Sequence, residues 1–129
     1  MSIVLKFGGT SVGEARAIRQ AVRITADAAN GAPLVVLSAM SGVTNALFEA
    51  ARAAERGDAA TMRDLEKSIV TKHRTAATEL FPEGVPTELA RELRDLFEEM
   101  RVLLKGVGLL RELSPRTMDA VASIGERAS

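Results

Sequence analysis

A lysine stands where a short apolar run ends near the N-terminus. The run from Ile3 to Phe7 contains Lys6, and four small residues follow it: Gly8, Gly9, Thr10 and Ser11. A charged lysine in a buried strand is destabilising unless it reaches an anion or water. Glycine amides and hydroxyl groups at the start of a helix can bind an anion. Together with Lys6 they suit the phosphates of a nucleoside triphosphate.

The spacing of these residues matches neither of the common phosphate-binding motifs. A Walker loop places its lysine after the glycines, whereas Lys6 precedes them. Gly8, Gly9 and Gly13 also lack the G-x-G-x-x-G spacing of a dinucleotide site. The residues alone therefore leave a second interpretation open, in which Lys6 is a partly exposed lysine at a strand end beside a tight turn.

A second polar segment, Ser38 to Asn45, follows the next apolar run. It offers Gly42 for close approach and four polar side chains that suit a polar substrate: Ser38, Ser41, Thr44 and Asn45. Such residues are more often capping residues of the following helix, and Thr44 or Asn45 fits that role. Both interpretations stay open at this point.

Near the C-terminal end, Glu126 and Arg127 lie on a predicted helix. A carboxylate beside a guanidinium suits an amino acid ligand, although such a pair is more often a solvated helix end. His73 has no partner that the sequence identifies, so we expect no metal or base role for it and predict a surface or hydrogen-bonded core histidine.

Hydrophobic periodicity predicts the elements that carry these residues. A strand over 3–7 that is predicted to be buried on both faces, a helix from Glu14 to the Asn30-Gly31 stop, and a second strand after Pro33 form a βαβ unit. Its right-handed crossover makes the strands parallel and brings both strand ends to one edge of the sheet, where ligands bind in such folds.

Helices are predicted over 45–56, 58–80 and 87–105, with Gly57 ending the first and Gly106 and Gly108 ending the last. The joint at 81–86 makes the helices of 58–105 a hairpin. A final helix starts with Ser114 as N-cap and Pro115 in the first turn. Two strands are too few for a stable open sheet, so the sequence predicts the front part of a larger α/β domain.

Composition narrows the class of protein. The 129 residues contain 17 Lys and Arg, 17 Asp and Glu, no cysteine, and four phenylalanines as the only aromatic residues besides His73. A balanced charge and the lack of Tyr and Trp disfavour nucleic-acid or membrane binding. The absence of cysteine excludes disulfides and thiol catalysis. We therefore expect a cytoplasmic protein that binds neither nucleic acid nor membrane.

Three ordered segments carry a family resemblance: 6–12 (KFGGTSV), 35–45 (VVLSAMSGVTN) and 114–127 (SPRTMDAVASIGER). Together they resemble the N-terminal part of the aspartokinases, in the amino acid kinase family. The helical stretch at 58–105 is similar to that of aspartokinases with a long helical insert. The resemblance implies the N-terminal portion of an amino acid kinase-like (carbamate kinase-like) three-layer α/β sandwich. The remainder of the kinase domain and the ACT domains would lie outside residues 1–129.

The resemblance also implies a reaction and roles for the residues. The reaction is ATP-dependent phosphorylation of L-aspartate to 4-phospho-L-aspartate, which opens lysine, threonine, methionine and isoleucine synthesis. Lys6 would stabilise the transferred phosphoryl group, with Gly8, Gly9, Thr10 and Ser11 at the ATP phosphates. The aspartate would contact Ser38, Thr44 and Glu126, with Arg127 as a weaker assignment. Mg²⁺ would accompany ATP, the protein would hold no metal of its own, and a homo-oligomer is expected.

Two alternatives accompany this hypothesis. Another amino acid kinase, such as an acetylglutamate or glutamate kinase, is disfavoured by the segment 114–127. A non-catalytic module would instead use an exposed apolar stripe of the 58–105 hairpin to bind another subunit. Because half of the nucleotide site would be missing, we expect the 129 residues alone to turn over negligibly.

Overall fold

The computed structural model describes residues 2–129. Its regular elements, in chain order, are β1 (Val4–Phe7), α1 (Ala15–Asp27), β2 (Leu34–Leu37), α2 (Val43–Glu55), α3 (Ala59–Leu80), α4 (Thr87–Leu110) and α5 (Pro115–Ala128). Short 3-10 turns at Gly9–Val12 and Ala29–Gly31 flank α1. Among residues 2–129, no helix combines the length and the apolar character that crossing a membrane requires.

The predicted βαβ unit is confirmed. β1 and β2 pair in parallel, with Lys6 opposite Val36 and Phe7 opposite Leu37. The Ser38 amide continues the pairing by donating to the Phe7 carbonyl at 3.0 Å. Both strands therefore end at the same edge of the sheet, which places the two polar loops side by side.

The strands are more exposed than their apolar sequence predicts. Phe7 is buried, but Val4 is 60% exposed and Leu34 is 64% exposed, so the expectation of a first strand buried on both faces is wrong for this chain. The sheet described over residues 2–129 has two strands. α1 leaves an apolar cleft of about 390 Å³ beside them. Within this part of the chain, too few neighbours exist to cover both faces.

The main core lies among the helices, with α2 at its centre. α2 contacts α3, α4 and α5, and α3 and α4 each touch α2 more extensively than they touch one another. The side chains with almost no exposure are Val43, Leu47, Phe97, Met100, Leu104, Val121 and Ile124. The helices of 58–105 are therefore part of one core with α2 and α5.

This packing buries much of the apolar stripe that the sequence predicts on α4. Leu93, Phe97, Met100 and Leu104 from that stripe are all buried in the core of the chain itself. Burial of such side chains contributes roughly 1.5–3 kcal/mol each, so exposing them to reach another subunit would be strongly unfavourable. These four residues are therefore not a free binding surface.

Helix α4 does not stop at Gly106 and Gly108, as the sequence predicted. It continues to Leu110 and ends at Arg111, whose φ is 52°. A glycine inside a helix costs about 1 kcal/mol relative to alanine. Val107, between the two glycines, is 2% exposed, and a Cβ at Gly108 would lie 3.7 Å from the Ala54 carbonyl. Packing of this last turn against α2 offsets the poor helix propensity.

Two predicted helix boundaries are confirmed by their backbone geometry. Gly57 has a φ of 80° and follows the end of α2, where the left-handed region favours glycine. The Ser114 hydroxyl accepts a hydrogen bond from the Thr117 amide at 3.1 Å and so caps α5, with Pro115 in its first turn.

His73 is a core residue with one unsatisfied nitrogen. It is 3% exposed and packs edge-on against Phe97, with 5.4 Å between ring centroids. Its Nδ1 donates to the Ile69 carbonyl at 2.7 Å, whereas Nε2 has no partner among the described residues. Burial lowers the pKa of the imidazole below its ordinary value of 6.5, and the nearby Lys72 charge lowers it further, although the Ile69 hydrogen bond acts in the opposite direction.

This lowered pKa predicts a pH dependence of stability. The unfolded chain binds a proton near pH 6.5 and the folded chain binds it only at lower pH, so the free energy of unfolding falls as pH decreases below 6.5. Above that pH, His73 is neutral in both states and has no effect. Urea denaturation at several pH values measures the effect, and the difference between wild type and His73→Gln isolates it from the carboxylates. Equal pH slopes for the two proteins would contradict it.

Candidate functional site

A cleft of about 400 Å³ lies at the edge of the sheet where β1 and β2 end. Its walls come from three parts of the chain: the glycine turn after β1, the loop and first turn of α2 after β2, and the end of α5. The lining residues are Gly9, Thr10, Ser38, Ala39, Met40, Ser41, Gly42, Thr44, Asn45 and Glu126. Segments more than 80 residues apart in sequence thus meet at one site.

Lys6 reaches this edge from the end of β1. Its Nζ donates to the Ser38 Oγ at 2.9 Å, and its side chain is exposed rather than buried. No carboxylate pairs with Lys6 within residues 2–129. Because the side chain of Lys6 is exposed to water, its charge does not destabilise the strand. The charge also remains available to an anion.

The glycine turn approaches the second loop closely. A Cβ at Gly9 would lie 3.2 Å from the Ala39 carbonyl, so a side chain there would push the two loops apart. Gly8 differs, because a Cβ at this position would meet nothing within 4 Å. Thr10 lines the cleft, whereas Ser11 is exposed outside its lining and its amide donates to the Gly8 carbonyl at 3.0 Å.

The loop after β2 ends at an uncapped helix N-terminus. α2 begins at Val43, and its N-cap is Gly42, with a φ of 81° and no side-chain hydrogen bond. The expectation that Thr44 or Asn45 caps this helix is wrong, because both lie inside its first turn. Both line the cleft. The free amides of a first helical turn favour anions.

Close helix packing places the end of α5 at the cleft. A Cβ at Gly125 would lie 3.1 Å from both Ala39 Cβ and Val43 Cγ1, so glycine allows α5 to lie directly against α2. The next residue, Glu126, lines the cleft with an exposed side chain. The structure thereby brings the only carboxylate of the lining opposite the Ser38 loop.

Arg127 is not brought to the cleft. Its Nη2 lies 2.9 Å from Glu99 Oε1, an ion pair that joins α5 to α4 on the surface. Helical geometry explains the separation, because adjacent residues on a helix point about 100° apart. Of the residues predicted from sequence, Gly9, Thr10, Ser38, Thr44 and Glu126 line the cleft and Lys6 contacts it through Ser38, whereas Gly8, Ser11 and Arg127 lie outside its lining.

Two contacts of the cleft were missed from sequence. The Ser129 hydroxyl donates to the Ser38 carbonyl at 2.6 Å, which ties the end of α5 to the end of β2. Lys72 on α3 donates from Nζ to the Ser41 carbonyl. No sequence signal distinguished either residue, because Lys72 lies on an ordinary charged helix face and Ser129 follows the last helix without a recognisable motif.

Comparison with known proteins agrees with this geometry. The sequence model of the amino acid kinase family matches residues 1–129. The chain belongs to the amino acid kinase family. Aspartokinase 2 of Arabidopsis thaliana chloroplasts is 32% identical over 128 residues, which are 98% of this chain and 22% of that protein. The aspartokinase of Schizosaccharomyces pombe is 35% identical over 135 residues, covering 98% of this chain and 26% of that protein.

Solved structures of the family have the same fold over this region. Escherichia coli aspartokinase III in complex with aspartate and ADP matches with a TM-score of 0.83 at 30% identity, over 99% of this chain and 27% of that chain. The same enzyme in complex with lysine and aspartate matches with a TM-score of 0.81. The predicted amino acid kinase-like α/β fold is confirmed, and the chain spans about a quarter of the length of these relatives.

Proposed function

We propose that this chain is the N-terminal part of an aspartokinase catalytic domain. In the complete protein it would help to transfer the γ-phosphoryl group of ATP to the side-chain carboxylate of L-aspartate. The product, 4-phospho-L-aspartate, opens lysine, threonine, methionine and isoleucine synthesis. The observation that carries the proposal is the convergence of Lys6, Ser38 and Glu126 at one cleft on the carboxyl edge of the sheet.

The chemistry of the cleft suits phosphoryl transfer. This reaction depends mainly on positioning and on stabilisation of the charge that develops on the phosphoryl oxygens. Lys6 supplies an ammonium group at the strand end that pairs with no carboxylate within residues 2–129, and it donates a hydrogen bond to the Ser38 hydroxyl. Gly8, Gly9, Thr10 and Ser11 would face the ATP phosphates, with Gly9 allowing the closest approach of the backbone.

The other side of the cleft suits an acidic amino acid. Ser38 and Thr44 offer hydroxyl groups, and the first turn of α2 offers backbone amides, all of which can donate to a carboxylate. Glu126 is the lining residue that can pair with the substrate ammonium. A role for Arg127 in binding aspartate remains a prediction that no contact supports, because its guanidinium forms an ion pair with Glu99.

Magnesium would enter with the nucleotide. Glu126 is the one carboxylate among the lining residues, and no three acidic or histidine side chains converge within residues 2–129. A cation that keeps several waters and binds phosphate oxygens needs few protein ligands.

We also propose that the complete protein forms a homo-oligomer and acts in the cytoplasm. The relatives include both chloroplast and bacterial proteins, so the cytoplasmic location is a proposal for this chain.

The alternative of a non-catalytic interaction module is less well supported. It requires an exposed apolar stripe on the helices of 58–105, and four large residues of the stripe on α4, Leu93, Phe97, Met100 and Leu104, are buried in the core of this chain. These four side chains are therefore not free to bind another subunit.

A direct assay tests the proposed function. We expect the complete protein to release ADP from ATP only when L-aspartate is present, and the 129-residue chain alone to show negligible turnover. L-Glutamate, which is one methylene longer, is the matched control substrate. Release of ADP that is independent of aspartate, or preferred turnover of glutamate, would contradict the proposal. Strong aspartate-dependent turnover by the isolated chain would contradict the expectation for the fragment.

A further inference from the structure

Lys72 contacts one loop of the cleft without lining the cleft itself. It lies half-buried on α3, and its Nζ donates to the Ser41 carbonyl in the loop that follows β2. Lys72 is not among the residues that line the cleft, and it forms no ion pair within residues 2–129. The contact is therefore a link between the helical core and the backbone of the loop.

Ser41 is the junction between the two loops of the cleft. Its amide donates to the Gly9 carbonyl at 3.1 Å. The glycine turn also presses against it, since a Cβ at Gly9 would lie 3.4 Å from Ser41 Cα and a Cβ at Gly13 would lie 3.2 Å from Ser41 Cβ. With its amide bound on one side and its carbonyl bound by Lys72 on another, Ser41 has a fixed backbone orientation.

The orientation of the Ser41 carbonyl decides what the next residue presents. A trans peptide bond points its carbonyl and its amide in opposite directions. No cis peptide occurs in the described chain, so the Gly42 amide points away from Lys72. Gly42 lines the cleft, and no hydrogen bond from its amide is found within residues 2–129. This amide lies at the uncapped N-terminus of α2, where an anionic oxygen is favoured.

We propose that Lys72 is a positioning residue that fixes the Ser41–Gly42 peptide, so that the Gly42 amide is directed at an anionic oxygen of a substrate in the cleft. The proposal rests on the proposed function for the identity of that oxygen, which belongs to the aspartate carboxylate or to an ATP phosphate. Lys72 acts through the backbone and does not touch the substrate itself. Without it the peptide is free to rotate about its flanking bonds, which glycine at position 42 makes easy.

Three variants test this role. Lys72→Met keeps the aliphatic part of the side chain and removes the donor, and Lys72→Arg retains a cationic donor. Lys67→Met is the matched control, because Lys67 is exposed on the same helix and forms no ion pair within the described residues. We expect Lys72→Met in the complete protein to raise one KM about tenfold, with partial recovery in Lys72→Arg and no change in Lys67→Met. A rise in the KM for aspartate identifies the carboxylate, and a rise in the KM for ATP identifies the phosphate.

Hydrogen exchange provides a readout that does not depend on activity. In the complete protein, we expect the hydrogen-bonded amides of Ser41 and Val43 to exchange faster in Lys72→Met than in wild type, with Lys67→Met unchanged. Unchanged exchange together with both KM values within twofold of wild type would overturn the proposal. Loss of thermal stability in Lys72→Met, with faster exchange throughout the core, would also overturn it in favour of a purely structural role. If wild type shows no aspartate-dependent turnover, the proposed function fails, and the exchange data alone decide the role of Lys72.

Discussion

Lys6→Met in the complete protein is expected to lower kcat by about 100-fold to 1,000-fold, the usual effect of removing one group that stabilises transition-state charge. The ammonium group of Lys6 is unpaired by any carboxylate within residues 2–129 and lies at the cleft beside Ser38. Methionine keeps the length of the side chain but cannot stabilise an anion. Aspartate-dependent ADP release under saturating substrates measures the loss.

The same variant should fold almost normally. Lys6 is exposed, and its one hydrogen bond to Ser38 contributes about 1 kcal/mol. Lys105→Met, at an exposed position on α4, is the matched control and should retain wild-type turnover. Wild-type kcat in Lys6→Met would refute the role assigned to Lys6, whereas a loss of turnover accompanied by unfolding would show that Lys6 is structural.

Phe97→Ala is expected to lower the free energy of unfolding by about 3–5 kcal/mol. Phe97 is 1% exposed, lies in the helical core and packs against the ring of His73. Its removal leaves a cavity and takes the edge-on contact from a histidine whose Nε2 already lacks a partner among the described residues. Urea denaturation followed by circular dichroism measures the change.

Two further variants keep this prediction informative even if Phe97→Ala fails to fold. Phe97→Leu refills most of the cavity and should lower the free energy of unfolding by less than Phe97→Ala. Phe81→Ala is the control, because Phe81 is 39% exposed in the joint between α3 and α4 and its loss should be far smaller. Equal losses for Phe81→Ala and Phe97→Ala would contradict the assignment of the core to α2, α3, α4 and α5.

Local patterns in the sequence were sufficient to predict the structural elements that depend on residues close together in the chain. Two short apolar runs bounded by glycine or proline, with helical periodicity between them, predicted the βαβ unit, and the parallel pairing of β1 and β2 confirms it. Ser114 was predicted as an N-cap because its side chain reaches an amide three residues away. Parallel strands must end at the same sheet edge, so the meeting of the Lys6 and Ser38 segments was also predictable.

Two predicted helix boundaries were wrong, one because of packing with another helix and one because of the backbone conformation of a neighbouring glycine. Gly106 and Gly108 favour a helix end locally, but the burial of Val107 extends α4 to Leu110. Thr44 and Asn45 are good capping residues, but Gly42 takes the N-cap position with a left-handed backbone and leaves both side chains at the cleft. The helix propensity of a single residue does not include the packing of Val107 or the backbone conformation of Gly42, and these two features decided the helix boundaries.

The sequence by itself determined the family, the parallel strand pair and the segments that form the cleft, because these depend on motifs and on backbone periodicity. Only the tertiary structure decided which side chains reach the cleft. Glu126 lines it while Arg127 turns to Glu99, and Lys72 binds the Ser41 carbonyl from another helix. The physical reason is that such contacts are set by how closely helices pack, here by Gly125 against Ala39 and Val43, and by the direction in which each side chain leaves its helix.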